Sequence, residues 1–422
     1  MRLVAGVKRV VRDRLVAHAG GIDLTRLDKV PASVSWPLQR EGMDPSRRLA
    51  DYRDAAPVQR LASLIGLEVW LVTGDAESRE VLSDSTSYST DIRPYMGSSG
   101  SATDGDIGGL GFTDPPDHTR LRRLLTPEFT MRRLQRLRPV IAAIIERQLA
   151  EIEAAGAGGG EVDLMETFAF PIPFLVICEL LGLPDEKRET FATLATARFD
   201  VSKGGAGTVG AIGGSREFLL AEVARQRGNP GAGLIGQLIV EHGEEITDFE
   251  LGGLADGVFT GGLETSASML ALGTARLLED RELWARLGGE TAEVAAVIGG
   301  VVEELLRLLS VVQVAFPRFV TTDVVVGGRR IPRGSVVMCS LPAANRDPRR
   351  GAGEQHLAFG YGFHRCIGAE LARMELTMAF PAIARRFPDL RLAVPSAELD
   401  YRALSLVYGV QSVPVRLSES AV

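Results

Sequence analysis

The chain has few of the residues that build disulfide frameworks and zinc sites. Its 422 residues include only three cysteines and five histidines. Cys178, Cys339 and Cys366 lie far apart, and no pair has the spacing of a zinc site. Cys178 and Cys339 are embedded in apolar runs, which is typical of packed thiols. We therefore expect neither a disulfide scaffold nor a zinc site, and a reducing cytoplasm is the predicted location.

Long apolar runs and an excess of positive charge are also missing. No stretch approaches the roughly 18 apolar residues that span a bilayer, so no transmembrane segment is predicted. The formal net charge of -7 argues against non-specific binding to nucleic acid. Residues 1–33 are basic and amphipathic, but they lack the continuous apolar core of a secretory signal. They are predicted to be a helical extension on the protein body, with a membrane-surface helix as the alternative.

The hydrophobic pattern predicts a single domain over residues 34–422 that is mainly α-helical with a small β region. Residues 115–310 show mostly helical periodicity. Residues 314–342 alternate and break at Gly-Gly and Pro-Arg-Gly, which predicts a small antiparallel strand set. The glycine-rich segment at 199–215 is predicted to be a loop.

The remaining cysteine lies in the loop "FGYGFHRCIG", residues 359–368. Cys366 could be a buried thiol, a nucleophile, a zinc ligand, a disulfide partner or the ligand of a larger group. A nucleophile would need a separate base, and zinc would need more ligands than this loop offers. His364, Arg365 and the start of a helix favour a thiolate, while the glycines let the backbone approach a flat partner. A planar metal macrocycle with one axial thiolate fits these features together.

This loop resembles the haem-binding loop of the cytochrome P450 superfamily, in its bacterial soluble class, and the resemblance extends over about residues 34–415. It implies a monomeric haem-thiolate fold, with haem b between a long distal helix and the cysteine loop. It also implies that Cys366 is the axial iron ligand. Further residues implied to bind the cofactor, several of them through its propionates, are His118, Arg122, Arg318, His364, Phe359, Gly360 and Gly368.

Two more motifs occur in the order that the resemblance implies. "GGLETS", residues 261–266, places Glu264 beside Thr265, an acid–alcohol pair suited to passing protons to dioxygen. On its own, the alternative of a helix-packing glycine pair with an incidental Glu-Thr would remain open. Glu304 and Arg307 match the superfamily's Glu-x-x-Arg pair, which is implied to be buried and structural.

The sequence departs from the superfamily pattern just before the cysteine loop. The segment at 349–355 is shorter than the usual meander by about ten residues, a large change for a connection. The usual arginine that contacts the Glu-x-x-Arg pair is missing, and Arg349 or Arg350 is the candidate substitute. The shortening bears on haem retention and on the proximal surface.

The resemblance implies a monooxygenase that uses O2. No flavin, nicotinamide or iron–sulfur motif is present, so electrons are expected from a separate ferredoxin and ferredoxin reductase. A basic proximal face for that partner would be formed by six arginines, with an ordinary solvated surface as the equal alternative: Arg132, Arg133, Arg349, Arg350, Arg365 and Arg373.

The substrate is expected to be a medium-sized, largely apolar small molecule of secondary metabolism. Hydroxylation, epoxidation and oxidative coupling all remain open. The pocket residues implied by the resemblance are Tyr88, Ile92, Tyr95, Met96, Phe174, Val258, Gly262, Val312, Gln313 and Val314. The alternatives are a haem-thiolate isomerase or peroxygenase that does not use O2, and a catalytically impaired haem-binding docking protein.

Overall fold

The computed structural model describes residues 32–64, 67–91, 109–199, 205–351 and 353–417. Residues 1–31 of the predicted extension lie outside these ranges, as do the predicted pocket residues Ile92, Tyr95 and Met96. Within the described ranges, no helix is long and apolar enough to cross a membrane.

Helices make up most of the described chain, which confirms the predicted fold class. In chain order they are α1 (Ala32–Ser35), α2 (Arg47–Ala55), α3 (Asp75–Ser83), α4 (Asp117–Leu125), α5 (Met131–Leu134), α6 (Arg138–Gly156), α7 (Pro171–Leu181), α8 (Asp185–Phe199), α9 (Gly205–Gly228), α10 (Leu234–His242), α11 (Asp248–Leu278), α12 (Arg281–Gly288), α13 (Thr291–Leu309), α14 (Leu341–Ala344) and α15 (Ala369–Arg386). Short 3-10 or π turns occupy Trp36–Leu38, Thr126–Phe129, Gln135–Leu137, Met165–Ala169, Gly243–Glu245, Gly362–His364 and Ser396–Glu398.

The strands are short and form small sheets beside the helices. They are β1 (Arg40–Glu41), β2 (Asp44–Pro45), β3 (Val58–Leu64), β4 (Leu67–Val72), β5 (Tyr88–Ser89), β6 (Val162–Asp163), β7 (Arg318–Val320), β8 (Val324–Val326), β9 (Arg329–Ile331), β10 (Val336–Cys339), β11 (Arg391–Leu392) and β12 (Pro414–Arg416). The largest sheet has the order β3-β4-β10-β7-β5, and β11-β12-β6 form a second.

The strand set predicted at 314–342 is confirmed, with one addition. β7 pairs with β10 and β8 pairs with β9, both antiparallel as predicted. β10 also pairs in parallel with β4, where Val336 lies opposite Val69. Since β4 and β10 are more than 260 positions apart in the chain, no local pattern could reveal that pairing. The parallel pairing joins the N-terminal strands to the region that carries Arg318.

The long helix α11 runs through the centre of the helical part and is buried on most sides. Its first turn is closed by a capping box, in which Thr247 and Glu250 exchange backbone-to-side-chain hydrogen bonds. Glycines let neighbours approach it closely: a Cβ on Gly257 would lie 2.5 Å from the Cα of Gly109. On Gly273, a Cβ would lie 2.5 Å from the Phe380 ring of α15. α11 therefore holds the segments before α4 and the helix α15 in fixed positions.

The predicted loop at 199–215 is wrong for its second half. Helix α9 begins at Gly205 and continues through that glycine-rich run. Its later residues Ser215, Leu219 and Val223 are fully buried. Burial of that face stabilises the helix by more than the glycines cost, at about 1 kcal/mol each, so packing outweighs local propensity.

Candidate functional site

The cysteine loop has a fixed backbone built on two glycines. Gly360 and Gly362 have φ of +69° and +70°, which residues with a Cβ rarely adopt. A Cβ on Gly362 would lie 2.5 Å from the carbonyl oxygen of Leu82, at the end of α3. The amide of Cys366 donates to the carbonyl of Phe359 at 2.8 Å, which closes the loop. The loop geometry therefore requires glycine at these positions.

Cys366 lies three residues before α15 and is exposed. The surrounding protein desolvates its thiol and raises its pKa, while the amide of Gly368 and the positive charge of Arg122 act in the opposite direction. A Cβ on Gly368 would lie 3.9 Å from the Cys366 sulfur and 3.9 Å from the Phe129 ring. The absence of a side chain there keeps space beside the sulfur. The Gly368 amide and Arg122 are the groups that would stabilise a thiolate at Cys366.

Four of the predicted cofactor-binding residues converge next to this loop. The rings of His118 on α4 and His364 lie 4.4 Å apart between centroids. Arg122, also on α4, donates from Nη2 to the carbonyl of Arg365 at 2.7 Å. Burial lowers the pKa of the His364 imidazole, and the nearby charge of Arg318 on β7 lowers it further. The structure therefore brings together residues from three separate parts of the chain.

The cluster of His118, Arg122, Arg318 and His364 has few acceptors for its buried donors. His118 and Arg318 are each 2% exposed, and within the described chain neither His118 Nε2 nor Arg318 Nε has a hydrogen-bond partner. Burial and the charge of Arg122 lower the pKa of His118 to about 4. The carboxylate of Asp114 acts on both His118 and Arg318, but its oxygens already accept from Ser89 and Thr90. Because buried donors need acceptors, the cluster suits an added anion such as a haem propionate.

The sequence reasoning missed Thr90 and Asp114 in this cluster. Thr90 Oγ1 lies 3.2 Å from His364 Nε2, and both the hydroxyl and the backbone amide of Thr90 donate to Asp114 Oδ1. Asp114, in "FTDPPDH" just before α4, was visible in the sequence as a candidate acid. Its partner Thr90 directly follows β5 and lies 24 positions earlier in the chain. These two residues orient the imidazole of His364.

The acid–alcohol pair lies on an open stretch of α11. Thr265 donates its hydroxyl to the carbonyl of Gly261 at 2.7 Å, one turn earlier. A Cβ on Gly261 would meet nothing within 4 Å, whereas one on Gly262 would lie 3.0 Å from Ile177 of α7. The open space expected from the glycine pair is therefore at Gly261, while Gly262 serves helix packing.

Glu264 has a partner that the sequence reasoning did not find. Arg402 donates from Nη1 to Glu264 Oε1 at 2.9 Å, and both side chains are mostly buried. Burial raises the pKa of Glu264, and the charge and hydrogen bond of Arg402 oppose that shift. The only hint of this partner in the sequence was Arg402 itself, a single charged residue inside the apolar stretch "YRALSLVYGV".

A second buried acid, Glu375 on α15, lies beside the same stretch of α11. It is 2% exposed, bonds Ser266, and within the described chain its Oε2 has no hydrogen-bond partner. Burial raises its pKa to about 8, so the carboxyl is neutral at pH 7. Its position four residues after Leu371, on the apolar face of α15, was a signal of an inward-facing acid.

The Glu-x-x-Arg pair forms, but it is not fully buried. Arg307 makes two hydrogen bonds to Glu304, at 2.8 and 2.6 Å, and a third to the carbonyl of Asn345 at 2.9 Å. The Glu304 side chain is 53% exposed, which corrects the expectation of a buried pair. The reason is the path of residues 347–351, which turn toward α3, where the amide of Asp75 donates to Asp347 Oδ2 at 2.9 Å.

The short segment is held by ion pairs to α3. Arg349 binds both Asp347 and Glu77, and Arg350 lies 3.2 Å from Asp75. Arg350 also contacts the carbonyl of Asn345, the same group that Arg307 binds, and its charge lowers the pKa of Glu304. Of the two proposed substitutes, Arg350 is therefore near the pair, while Arg349 points to Glu77.

Several predicted pocket residues have structural partners. Gln313 is 1% exposed, donates to the carbonyls of Leu38 and Ser405, and accepts from Arg40, which leaves its amide no group for a ligand. Phe174 is buried against the rings of Phe170 and Phe191.

Tyr88 is buried in β5, opposite Val320. Val312 and Val314 form bridges to Val407 and Ser340, and Val258 is partly buried on α11. Phe316, in the stretch 310–316 that was expected to contribute to the pocket, is 46% exposed and packs edge-on against the ring of Phe112. The apolar surface near Arg318 therefore includes these two rings.

Four of the six arginines proposed for a basic face are neutralised by carboxylates. Arg133 pairs with Glu128 and Glu241, and Arg373 pairs with Glu303 and Glu370. Arg349 and Arg350 pair as described above. This leaves Arg132 and Arg365 as the candidates for attracting an acidic partner.

Comparison with known proteins decides the family. The sequence model of the cytochrome P450 family matches residues 234–350. Cytochrome P450 165B3 of Amycolatopsis orientalis is 36% identical over 397 residues, covering 90% of this chain and 97% of that protein. The chain belongs to the cytochrome P450 family. It is a monooxygenase of that family, whose members bind haem through a cysteine thiolate.

Solved structures of other cytochromes P450 agree with this assignment. OxyE, a cytochrome P450 involved in teicoplanin biosynthesis, superposes with a TM-score of 0.80 at 34% identity, covering 90% of this chain and 99% of OxyE. OxyC, implicated in an oxidative C–C coupling reaction during vancomycin biosynthesis, gives 0.77 at 34% identity, with 90% and 96% coverage. The P450 fold is thus confirmed along nearly the whole chain, including the part after residue 350.

Proposed function

We propose that this cytochrome P450 oxidises a medium-sized, largely apolar small molecule of secondary metabolism, with electrons from a separate ferredoxin and its reductase. The observation that carries the proposal is the position of Cys366 beside Arg122, in a cluster of buried donors of which two, His118 and Arg318, have nitrogen atoms without a hydrogen-bond partner within the described chain. Because OxyC is implicated in an oxidative C–C coupling reaction, oxidative coupling stays among the outcomes, beside hydroxylation and epoxidation. A cytoplasmic location and a monomeric state are part of the proposal.

The residues that would hold haem are Cys366, as axial ligand, and the cluster of His118, Arg122, Arg318 and His364, toward the propionates. Bound there, haem supplies an iron that activates O2 with two electrons. Phe359, Gly360 and Gly368 support this placement because they shape the loop and keep the space beside the sulfur open.

The proton chemistry falls to residues of α11. Glu264 Oε1 is occupied by Arg402, and within the described chain Oε2 has no hydrogen-bond partner, so Oε2 can take a proton from water. Thr265 donates its hydroxyl to Gly261, which leaves its oxygen able to accept a proton from a neighbouring donor and pass its own onward. This pair supports O2 use over the isomerase and peroxygenase alternatives.

The proposed electron route is tested with the purified, haem-loaded protein under carbon monoxide. A surrogate ferredoxin and reductase with NADPH should reduce the iron and produce the carbon-monoxide complex, whereas the reductase alone should not. With a panel of apolar compounds that shift the haem spectrum, O2 uptake should then require ferredoxin. Turnover with hydrogen peroxide together with no reduction by any ferredoxin would favour the peroxygenase alternative instead.

A further inference from the structure

Arg402 lies on a hairpin that packs directly on α11. This C-terminal hairpin, residues 401–410, is closed by a bridge between Tyr401 and Val410 and by the Arg402 amide donating to the carbonyl of Gly409 at 2.9 Å. A Cβ on Gly409 would lie 2.6 Å from the hydroxyl of Ser268 on α11. The base of the hairpin is therefore fixed against the helix one turn after Glu264.

The tip of the C-terminal hairpin is also held in place. Gln313 donates from its side-chain amide to the carbonyl of Ser405 at 2.7 Å, and from its backbone to the carbonyl of Leu406 at 3.0 Å. The Leu406 side chain is 47% exposed. Fixed at both ends, the hairpin presents Arg402 to α11 in a defined position.

The contact between Arg402 and Glu264 joins two charged groups that are largely shielded from solvent. The side chains are 13% and 19% exposed, and the Nη1–Oε1 distance is 2.9 Å. A buried charge is costly unless it is paired, so each group needs the other. Because Arg402 occupies only one carboxylate oxygen, it fixes the orientation of Glu264 and leaves Oε2 available.

We propose that Arg402 is a positioning residue for the reaction, which holds the Glu264 carboxylate ionised and oriented so that Oε2 can carry protons. This inference rests on the proposed role of Glu264 as the proton carrier. In each transfer, Oε2 gains a proton from a water molecule that regains one from bulk solvent, and gives it up toward the Thr265 hydroxyl, which releases its own proton onward. The carboxylate charge, balanced again by the guanidinium of Arg402, is restored.

Within the described ranges, few charged groups surround Glu264. Arg402 faces it from the C-terminal hairpin, Glu375 faces the same turn of α11 from α15 through Ser266, and α7 presents the apolar Ile177. Burial raises the pKa of Glu264, and Arg402 opposes that. Removing Arg402 should therefore raise the pKa of this carboxyl further.

The test uses the C–O stretching band of the reduced carbon-monoxide complex of the haem-loaded protein, which responds to polar groups beside the ligand. The band is followed from acid to alkaline pH in the wild type and in Arg402→Gln, Arg402→Lys and Glu264→Gln. We expect a pH transition that Arg402→Gln moves upward by about 1 unit or more. Arg402→Lys should keep it near the wild-type position, and Glu264→Gln should abolish it. An identical transition in wild type and Arg402→Gln, or its persistence in Glu264→Gln, would overturn the proposal.

A second measurement does not depend on haem chemistry. Urea unfolding of the purified full chain gives a double-mutant cycle for Arg402→Gln, Glu264→Gln and the double variant. The proposal predicts that the two effects are non-additive, because each single variant leaves one buried charge without its partner. Additive effects would refute the pairing. If haem fails to bind but the cycle shows coupling, the proposed function fails while the ion pair stands.

Discussion

Glu375→Gln is the substitution whose effect on stability can be worked out most fully from the structure. The carboxyl of Glu375 is 2% exposed and bonds Ser266, and within the described chain its Oε2 has no partner. Burial raises its pKa from 4.5 to about 8. Glutamine keeps the shape and remains neutral at every pH.

The sign of the pH effect follows from this shift. Between pH 4.5 and about 8 the folded protein keeps a proton on Glu375 that the unfolded chain has released. The stabilisation from this carboxyl is complete below pH 4.5 and is lost as the pH rises through the folded-state pKa. The loss amounts to about 1.4 kcal/mol per pH unit. The glutamine variant lacks this pH-dependent contribution to the free energy of unfolding.

The assay is urea unfolding of the haem-loaded protein at several pH values between 5 and about 9, with the free energy of unfolding compared between variant and wild type at each pH. The advantage of Glu375→Gln should grow by about 1.4 kcal/mol per unit and level off above pH 8. Glu151→Gln, which removes an exposed carboxylate from α6, is the control for loss of charge. A difference that stays constant from pH 5 to about 8 would refute the neutral state of Glu375.

Three further predictions concern the site. Arg318→Met should weaken haem retention, measured by transfer of haem to apomyoglobin, because it removes a buried cation that we propose faces the propionates. Arg333→Met, which removes an exposed arginine after β9, should not, and equal transfer rates would contradict the proposed role of the cluster. Gly362→Ala should destabilise the protein by about 1–3 kcal/mol in urea, more than Gly353→Ala, since both have positive φ but only Gly362 abuts Leu82; equal costs would contradict the clash. Thr265→Ala should raise the peroxide released per electron consumed, while Thr265→Ser retains the hydroxyl, and unchanged coupling in Thr265→Ala would remove Thr265 from the proton path.

The local motifs were predictable because their geometry is set within a few residues. Gly360 and Gly362 of the cysteine loop adopt the positive φ that only glycine accepts easily, and Cys366 precedes the helix that the pattern indicated. The acid–alcohol pair on α11 and the Glu304–Arg307 pair likewise follow from helical spacing.

The contacts that complete the site were not predictable, because they join distant parts of the chain. Arg402 is 138 positions from Glu264, and Thr90 is 274 positions from His364. Gln313 looked like a polar handle for a ligand, since the sequence could not show that Leu38, Ser405 and Arg40 occupy its amide. Tertiary packing also decided the helix through the glycine-rich run after Gly205.

The shortened segment before the cysteine loop illustrates both cases. The sequence showed that the meander is shorter, and it proposed Arg349 or Arg350 as the replacement for the missing arginine. It could not show that Arg349, with Asp347, turns to Glu77 on α3, so that Glu304 is left half exposed. In this shorter segment, the ion pairs of Arg349 and Arg350 with Glu77 and Asp75 of α3 hold the chain in position.

The carbon-monoxide difference spectrum of the reduced protein tests the central claim most directly. With Cys366 as thiolate ligand, the haem-loaded wild type should show a band at about 450 nm, and Cys366→His should bind haem without that band. A folded, haem-loaded wild type whose band lies instead at the shorter wavelength of histidine-ligated haem would contradict the assignment of Cys366.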